Sequence, residues 1–145
     1  MSGRRRTPRR FPFRLGQRAE MARTVTEADI VAFAGLSGDY NPLHVNAEYA
    51  QKTRFGGRIA HGMLSGAFLS AVLGMHLPGP GAIFLSCQMR FLKPTRIGDT
   101  ITAAAEVVRI REDKPILTLK VWCTNQHGET TVDGEAVCYY EPPAG

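Results

Sequence analysis

The chain has 145 residues, of which 43% are hydrophobic and 21% are charged, a composition that fits one folded domain and excludes a disordered polymer. Its formal net charge of +5 arises at the amino-terminal end, because residues 1–18 contain seven arginines and no acidic residue. The rest of the chain carries more acidic than basic side chains. Nucleic-acid contact by the arginines is not expected, because no aromatic-basic face or known binding motif follows them. The apolar segments are too short and too interrupted to span a bilayer.

Residues 1–16 are interpreted as a basic, disordered arm, and residues 17–142 as the folded domain. The arm lacks the apolar core of a secretory signal. A mitochondrial transit peptide is the alternative, although Pro8 and Pro12 disfavour an amphipathic helix. The three cysteines are odd in number and show no CxxC or zinc-binding spacing, which indicates free, buried thiols and a cytoplasmic location.

The first predicted elements are a strand over residues 18–25 and an amphipathic helix over residues 27–36. Thr26 followed by Asp29 forms a capping-box-like pattern at the start of this helix. A turn over residues 39–44 and a short helix over residues 47–52 come next.

The strongest helix prediction covers residues 62–77, and the Pro-Gly-Pro-Gly run that follows ends it. Its apolar side chains recur at spacings of three and four, which predicts a buried stripe made of Leu64, Ala67, Phe68, Ala71, Val72 and Met75. Met63, Met75 and Phe68 are accordingly expected in the core. Small residues dominate the other faces, so a sheet should wrap closely around the helix.

Strand patterns follow over residues 82–92, 100–110, 116–125 and 130–140. In the third of them, apolar and polar residues alternate with the period of two that is typical of a half-buried strand. Consecutive strands after a central helix indicate an α+β fold with a mostly antiparallel sheet.

The run Ser37-Gly38-Asp39-Tyr40-Asn41-Pro42-Leu43-His44 carries the main chemical signal. It holds a carboxylate and an imidazole five positions apart on a turn stiffened by proline. Such a pair can share one water and divide proton transfers between them. The run Ala60-His61-Gly62-Met63 then opens the long helix, whose first backbone N–H groups could stabilise an oxyanion.

These two runs, with Gly98-Asp99 before the strand over residues 100–110, resemble the MaoC-like (R)-specific enoyl-CoA hydratases. The resemblance covers residues 17–141 and implies a single hot-dog fold, an antiparallel sheet wrapped around one long helix. It also implies a lyase that interconverts enoyl-CoA and 3-hydroxyacyl-CoA by syn addition of water, without a metal or other cofactor. An isologous homodimer, or a higher oligomer, is expected as well. An acyl carrier protein thioester is an alternative substrate.

The resemblance implies a role for each matching residue. Asp39 and His44 correspond to the pair that holds the catalytic water, with Asp39 as base and His44 as proton donor to C2, or the reverse. Asn41 corresponds to a residue that orders this pair. Gly62 corresponds to the N–H that receives the thioester carbonyl, and Ser70 to a polar site near the substrate.

Other interpretations stay open at this stage. Asp39 alone fits a turn residue, and His44 alone fits a satisfied buried histidine. His61 could be a second base, but its place just before the helix favours packing or a local hydrogen bond. His76 and His127 are expected to be solvated. Arg54 and Arg58 are candidates for contacts with the CoA phosphates. A hot-dog thioesterase and a non-catalytic acyl-thioester-binding module are the competing functions.

Overall fold

The computed structural model describes residues 11–111 and 113–144, and eight of its nine elements match the predicted order. The ninth, a single helical turn over Pro42–Val45, falls where a turn without helix was expected. The elements are β1 (Arg18–Thr24), α1 (Glu27–Ser37), α2 (Pro42–Val45), α3 (Ala47–Gln51), α4 (Gly62–Met75), β2 (Ala82–Phe91), β3 (Thr100–Ile110), β4 (Ile116–Thr124) and β5 (Thr130–Tyr140).

The five strands form one antiparallel sheet in the order β1-β3-β4-β5-β2. The sheet packs on α4, so the predicted α+β architecture is confirmed. The alternation predicted for β4 is also confirmed, because Leu117, Leu119, Val121 and Cys123 are completely buried. β2 and β1 occupy the two edges of the sheet.

The buried face of α4 differs from the predicted stripe. It consists of Leu64, Ser65, Leu69, Val72 and Leu73. The expectation that Met63 and Met75 lie in the core is wrong for this chain, because they are 53% and 66% exposed. The helix is apolar or small-sided on every face, so the spacing of its apolar residues could not decide which face meets the sheet.

The start and end of α1 place the following loop. The Thr26 side chain accepts a hydrogen bond from the Asp29 N–H, and the Asp29 carboxylate accepts one from the Thr26 N–H, which confirms the capping box. Gly38 ends the helix with φ 79°, in the left-handed region that favours glycine. The chain therefore leaves the helix directly into the Asp39 loop.

Part of the predicted arm is packed against the body. Phe11 and Phe13 make edge-to-face contacts with each other and with Tyr140, and the Gly16 N–H donates to the Val107 carbonyl at 2.8 Å. The folded domain therefore begins before residue 17. Residues 1–10 lie outside the described residues.

The cysteines are free, but only two of them are buried as expected. Burial raises the pKa of Cys123 to about 12 and, together with the nearby Cys87, that of Cys138 to about 11. Cys87 lies on β2 and is exposed. Within the described ranges, no helix has the length and apolar character needed to cross a membrane.

A pair of glycine substitutions tests the packing of β5 on β2. In Gly134→Ala the added Cβ would lie 1.9 Å from the Gln88 carbonyl oxygen, and because the backbone cannot swing aside, the strands must separate. We expect the free energy of unfolding, measured by urea denaturation, to fall by about 3 kcal/mol or more. Gly35→Ala is the control, since its Cβ would only touch Tyr40 at 3.7 Å; it should stabilise α1 by about 0.5–1 kcal/mol. Equal stability of the two variants would contradict this account.

Candidate active site

The loop after α1 is ordered by its own side chains. The Asp39 carboxylate accepts the Asn41 N–H at 3.1 Å, and the Asn41 side-chain oxygen accepts the Leu43 N–H at 3.1 Å. Asn41 thereby caps α2, with Pro42 in the first turn, where proline is pre-organised for a helix. These bonds orient the Asp39 carboxylate and begin the turn of helix that carries His44.

His44 is 8% exposed, and its ring is held in one tautomer. The Nδ1 atom lies 2.8 Å from the Ile59 carbonyl oxygen. A carbonyl only accepts hydrogen bonds, so Nδ1 carries a hydrogen, and Nε2 is the nitrogen free to exchange a proton. The Ile59 N–H donates in turn to the Leu43 carbonyl at 3.3 Å, which ties the two segments together.

Arg58 braces this arrangement from the outside. Its Nε donates to the His44 carbonyl at 2.5 Å, and its guanidinium forms a two-pronged pair with Glu27 at 2.9 and 3.1 Å. The Arg58 side chain is only 17% exposed. It is therefore committed to the fold, which contradicts its candidacy for a CoA phosphate.

His61 joins the predicted pair. It is 2% exposed, and its Nε2 lies 2.9 Å from the backbone carbonyl of Asp39. Its ring centroid lies 3.9 Å from that of His44 and 4.8 Å from that of Phe33. The prediction that His61 packs is confirmed, but its hydrogen-bond partner is 22 positions away in the chain, so the bond is not a local one.

Asp39, His44 and His61 each place one atom that could bind a metal ion within 4.8 Å of the other two. Two imidazoles and a carboxylate are ligands that a divalent transition metal accepts. One nitrogen of each ring is already bonded to a carbonyl oxygen, which leaves each histidine a single nitrogen for any ligand. That the reaction needs no metal stays a prediction.

Gly62 is the first residue of α4, and His61 is its N-cap without using its side chain for capping. Among the described residues, no acceptor is hydrogen-bonded to the Gly62 N–H. A Cβ at this position would come within 2.9 Å of the Phe91 ring. The helix start thus offers an unpaired donor, and the lack of a side chain lets an aromatic ring pack over it.

One cavity of about 560 Å³ is lined by Asp39, His44, His61 and Gly62, whereas Asn41 and Arg58 are not part of its lining. Asp39, His44, His61 and Gly62 contribute the polar wall. The remaining wall is mostly apolar and includes Phe33, Phe55, Ile59, Phe91, Leu92 and Val132. A cavity with few convergent polar groups in an apolar wall is typical of a small-molecule site.

The long helix contributes Ser65 to this cavity rather than Ser70. Ser65 is 3% exposed and lines the cavity, whereas Ser70 lies on the exposed face of α4 and is not part of the lining. Sequence reasoning missed Ser65, although it lies three positions after Gly62, on the same face of a helix. The substrate contact of Ser70 stays a prediction.

Two cationic side chains line the cavity, and they differ in their partners. Lys93 pairs with Glu129, and this bond lowers the pKa of the Glu129 carboxyl. Arg54 stacks over the Phe55 ring, with 4.9 Å between the guanidinium carbon and the ring centroid, and has no carboxylate partner in the described part of the chain. Arg54 therefore keeps its candidacy for an anionic group.

Comparisons with known proteins find similar sequences and similar structures. Residues 14–130 match the family model described as a MaoC-like domain. An (R)-specific enoyl-CoA hydratase from Rhodospirillum rubrum is 52% identical over 121 residues, which cover 83% of each chain. Among solved structures, an (R)-hydratase from A. caviae involved in PHA biosynthesis matches with a TM-score of 0.86 and 42% identity over 89% of this chain and 98% of that one. The unliganded R-hydratase PhaJ1 from Pseudomonas aeruginosa matches with a TM-score of 0.85 and 41% identity, over 90% of this chain and 84% of that one.

Two arginine variants test whether Arg58 stabilises the fold more than an exposed arginine does. Arg58→Ala removes hydrogen bonds to the His44 carbonyl and to Glu27, and we expect it to lower the free energy of unfolding by about 1–3 kcal/mol. Arg54→Ala removes an exposed side chain of the same type, so the change should stay within about 0.5 kcal/mol. Urea denaturation of both variants provides the measurement. A destabilisation of Arg54→Ala as large as that of Arg58→Ala would refute the bracing role.

Proposed function

This chain belongs to the MaoC-like domain family, and we propose that it is an (R)-specific enoyl-CoA hydratase. As a hydro-lyase it catalyses the reversible addition of water to a trans-2-enoyl-CoA, giving (R)-3-hydroxyacyl-CoA. The observation that carries the mechanism is the meeting of Asp39, His44 and the unpaired Gly62 N–H in one cavity. The buried free thiols Cys123 and Cys138 support a cytoplasmic location.

The substrate is electrophilic at C3, because its π electrons can move to the thioester oxygen. Hydration therefore requires a base for water, a proton for C2 and donors for the enolate oxygen. The described cavity provides one group of each kind. Its apolar wall suits an acyl chain, and the reaction needs no change of oxidation state.

Asp39 accepts a proton from water while the water oxygen bonds to C3 and the π pair moves to the thioester oxygen. For the next step His44 must enter with a hydrogen on both ring nitrogens; it delivers the Nε2 proton to C2 as the enolate collapses, and it keeps the Nδ1 hydrogen that is bonded to the Ile59 carbonyl. The proton held by Asp39 returns to Nε2 of His44, which restores the pair. Because both groups lie on the same side of the cavity, H and OH add to one face of the double bond.

The Gly62 N–H is the donor for the enolate oxygen. It lies at the amino-terminal end of a 14-residue helix, where the helix dipole favours negative charge. A single donor of this kind contributes about 3–4 kcal/mol to the transition state in other enzymes. The contact strengthens as charge develops, so it lowers the barrier more than it stabilises the bound substrate.

Asp39→Asn and His44→Ala are expected to lower kcat for crotonyl-CoA by ~10²-fold or more each, because each removes one proton-transfer group. Loss of the enone absorbance of crotonyl-CoA measures the rate, and circular dichroism checks the fold. A thiol reagent run in parallel should detect no free CoA. A folded wild-type protein that leaves the absorbance unchanged at every acyl chain length, or that releases free thiol, would refute the proposed reaction.

We also propose that the chain forms a homodimer through β2 and α4. The free edge of β2 exposes Ile83, Phe84, Leu85 and Phe91. The other edge strand, β1, carries Arg18, Glu20 and Arg23, charges of the kind that prevent edge-to-edge pairing. The apolar edge is therefore the one suited to a second copy.

The uncovered face of α4 supports the same arrangement. Met63 and Met75 are exposed on this helix, and small residues lie between them. A contiguous apolar face of a central helix requires a cover, and two such faces can approach closely because their side chains are small. Ser70 lies on this face, so its predicted contact would form only in the assembled dimer.

Leu85→Lys is expected to weaken this dimer by placing a charge on the free edge of β2. Light scattering coupled to gel filtration should show wild-type protein at twice the mass of one chain and the variant shifted towards a single chain on dilution. Leu36→Lys is the matched control, since Leu36 is 89% exposed at the end of α1 and should leave the mass unchanged. Monomeric wild-type protein at all concentrations would refute the dimer.

A further inference from the structure

His61 connects the loop over residues 39–44 with the start of α4. Its Nε2 is bonded to the Asp39 backbone carbonyl at 2.9 Å, and its ring lies against that of His44 with 3.9 Å between centroids. Its own carbonyl accepts the Leu64 N–H at 3.0 Å as one of the first hydrogen bonds of α4. The next residue is Gly62, so one side chain connects the catalytic loop to the oxyanion donor.

The hydrogen bond also shows which nitrogen of His61 carries a hydrogen. The Asp39 carbonyl can only accept, so the hydrogen lies on Nε2. Nδ1 is buried and has no hydrogen-bond partner among the described residues.

Neither nitrogen of His61 is placed to act as a base. Nε2 is committed to a carbonyl, which cannot take up a proton, and Nδ1 is buried without a hydrogen-bond partner in the described part of the chain. Leaving the buried Nδ1 without a partner lowers the stability of the folded protein. Glutamine could supply the same donor to Asp39, but it lacks the flat ring that lies against His44.

We propose that His61 is a positioning residue that acts through both members of the catalytic pair. Its Nε2–H holds the Asp39 backbone, and its ring holds the imidazole of His44 in register with the carboxylate. This inference rests on the proposed hydratase reaction. A shift of about 1 Å in a positioned catalytic group can cost ~10²-fold in rate, so the effect should fall on kcat.

Two substitutions test the two contacts separately in the full chain with crotonyl-CoA. His61→Phe keeps a ring against His44 and loses the donor to Asp39; kcat should fall ~10²-fold. His61→Gln keeps a donor and loses the ring; kcat should recover to within ~10-fold of wild type. In both variants KM should stay within about threefold. His127→Phe, at an exposed histidine in the β4–β5 turn, is the control and should leave kcat unchanged.

The possible outcomes are distinct. Wild-type protein without hydratase activity would refute the proposed function rather than the role of His61. With an active wild type, a His61→Phe variant within threefold of wild-type kcat would overturn the positioning role. A loss of activity caused only by partial unfolding, with a lower melting temperature and a normal kcat per folded molecule, would also overturn the positioning role. A loss in His61→Gln as deep as that in Asp39→Asn would instead assign His61 a proton-transfer step and overturn the inference in that way.

Discussion

The site depends on the hydrogen bonds between the loop over residues 39–44 and the segment over residues 58–61, which leads into α4. Ile59 accepts the His44 Nδ1–H, Arg58 donates to the His44 carbonyl, and His61 donates to the Asp39 carbonyl. Each bond joins residues at least 14 positions apart, so none of them forms until the two segments are brought together. The same bonds select the tautomer of His44, bury both imidazoles and aim the segment into the first turn of the helix. The proposed proton-transfer pair and the proposed oxyanion donor are therefore positioned by one set of contacts.

The central helix serves the core and the site with different parts of its length. Its middle packs Leu69, Val72 and Leu73 into the curved sheet, and the apolar area buried there stabilises the fold. Its first turn has no such burial at Gly62 and leaves an N–H unpaired. An unpaired donor is tolerable at a helix start that opens into a cavity, because a ligand or water can complete it. Because the buried turns hold the helix rigidly, the Gly62 N–H at its start is held in a fixed position as well.

The sequence predicted the strands and long helices closely because each carries its own local signal. Thr26 and Asp29 set the start of α1, Gly38 its end, and alternation reveals β4. The pairing of Asp39 with His44 was equally visible, since both lie within one constrained turn. The hydrogen-bond partner of His61 was misjudged because it is determined by the path of the chain and not by spacing. The buried face of α4 was misjudged for a related reason. Where every face of a helix is apolar or small, only the sheet can select one.

The choice of backbone carbonyls as partners for both histidines has a chemical consequence. In many catalytic pairs a carboxylate holds the imidazole, and it then competes for the proton. Here the carbonyls of Ile59 and Asp39 hold the rings, and neither can be protonated at accessible pH. Lys93 is paired with Glu129, and Arg54 stays charged. The groups left to exchange a proton with a bound water are the carboxylate of Asp39 and Nε2 of His44. In the proposed reaction, a proton taken from water can therefore be returned only by Asp39 or His44, on the side of the cavity where the new C–O bond forms.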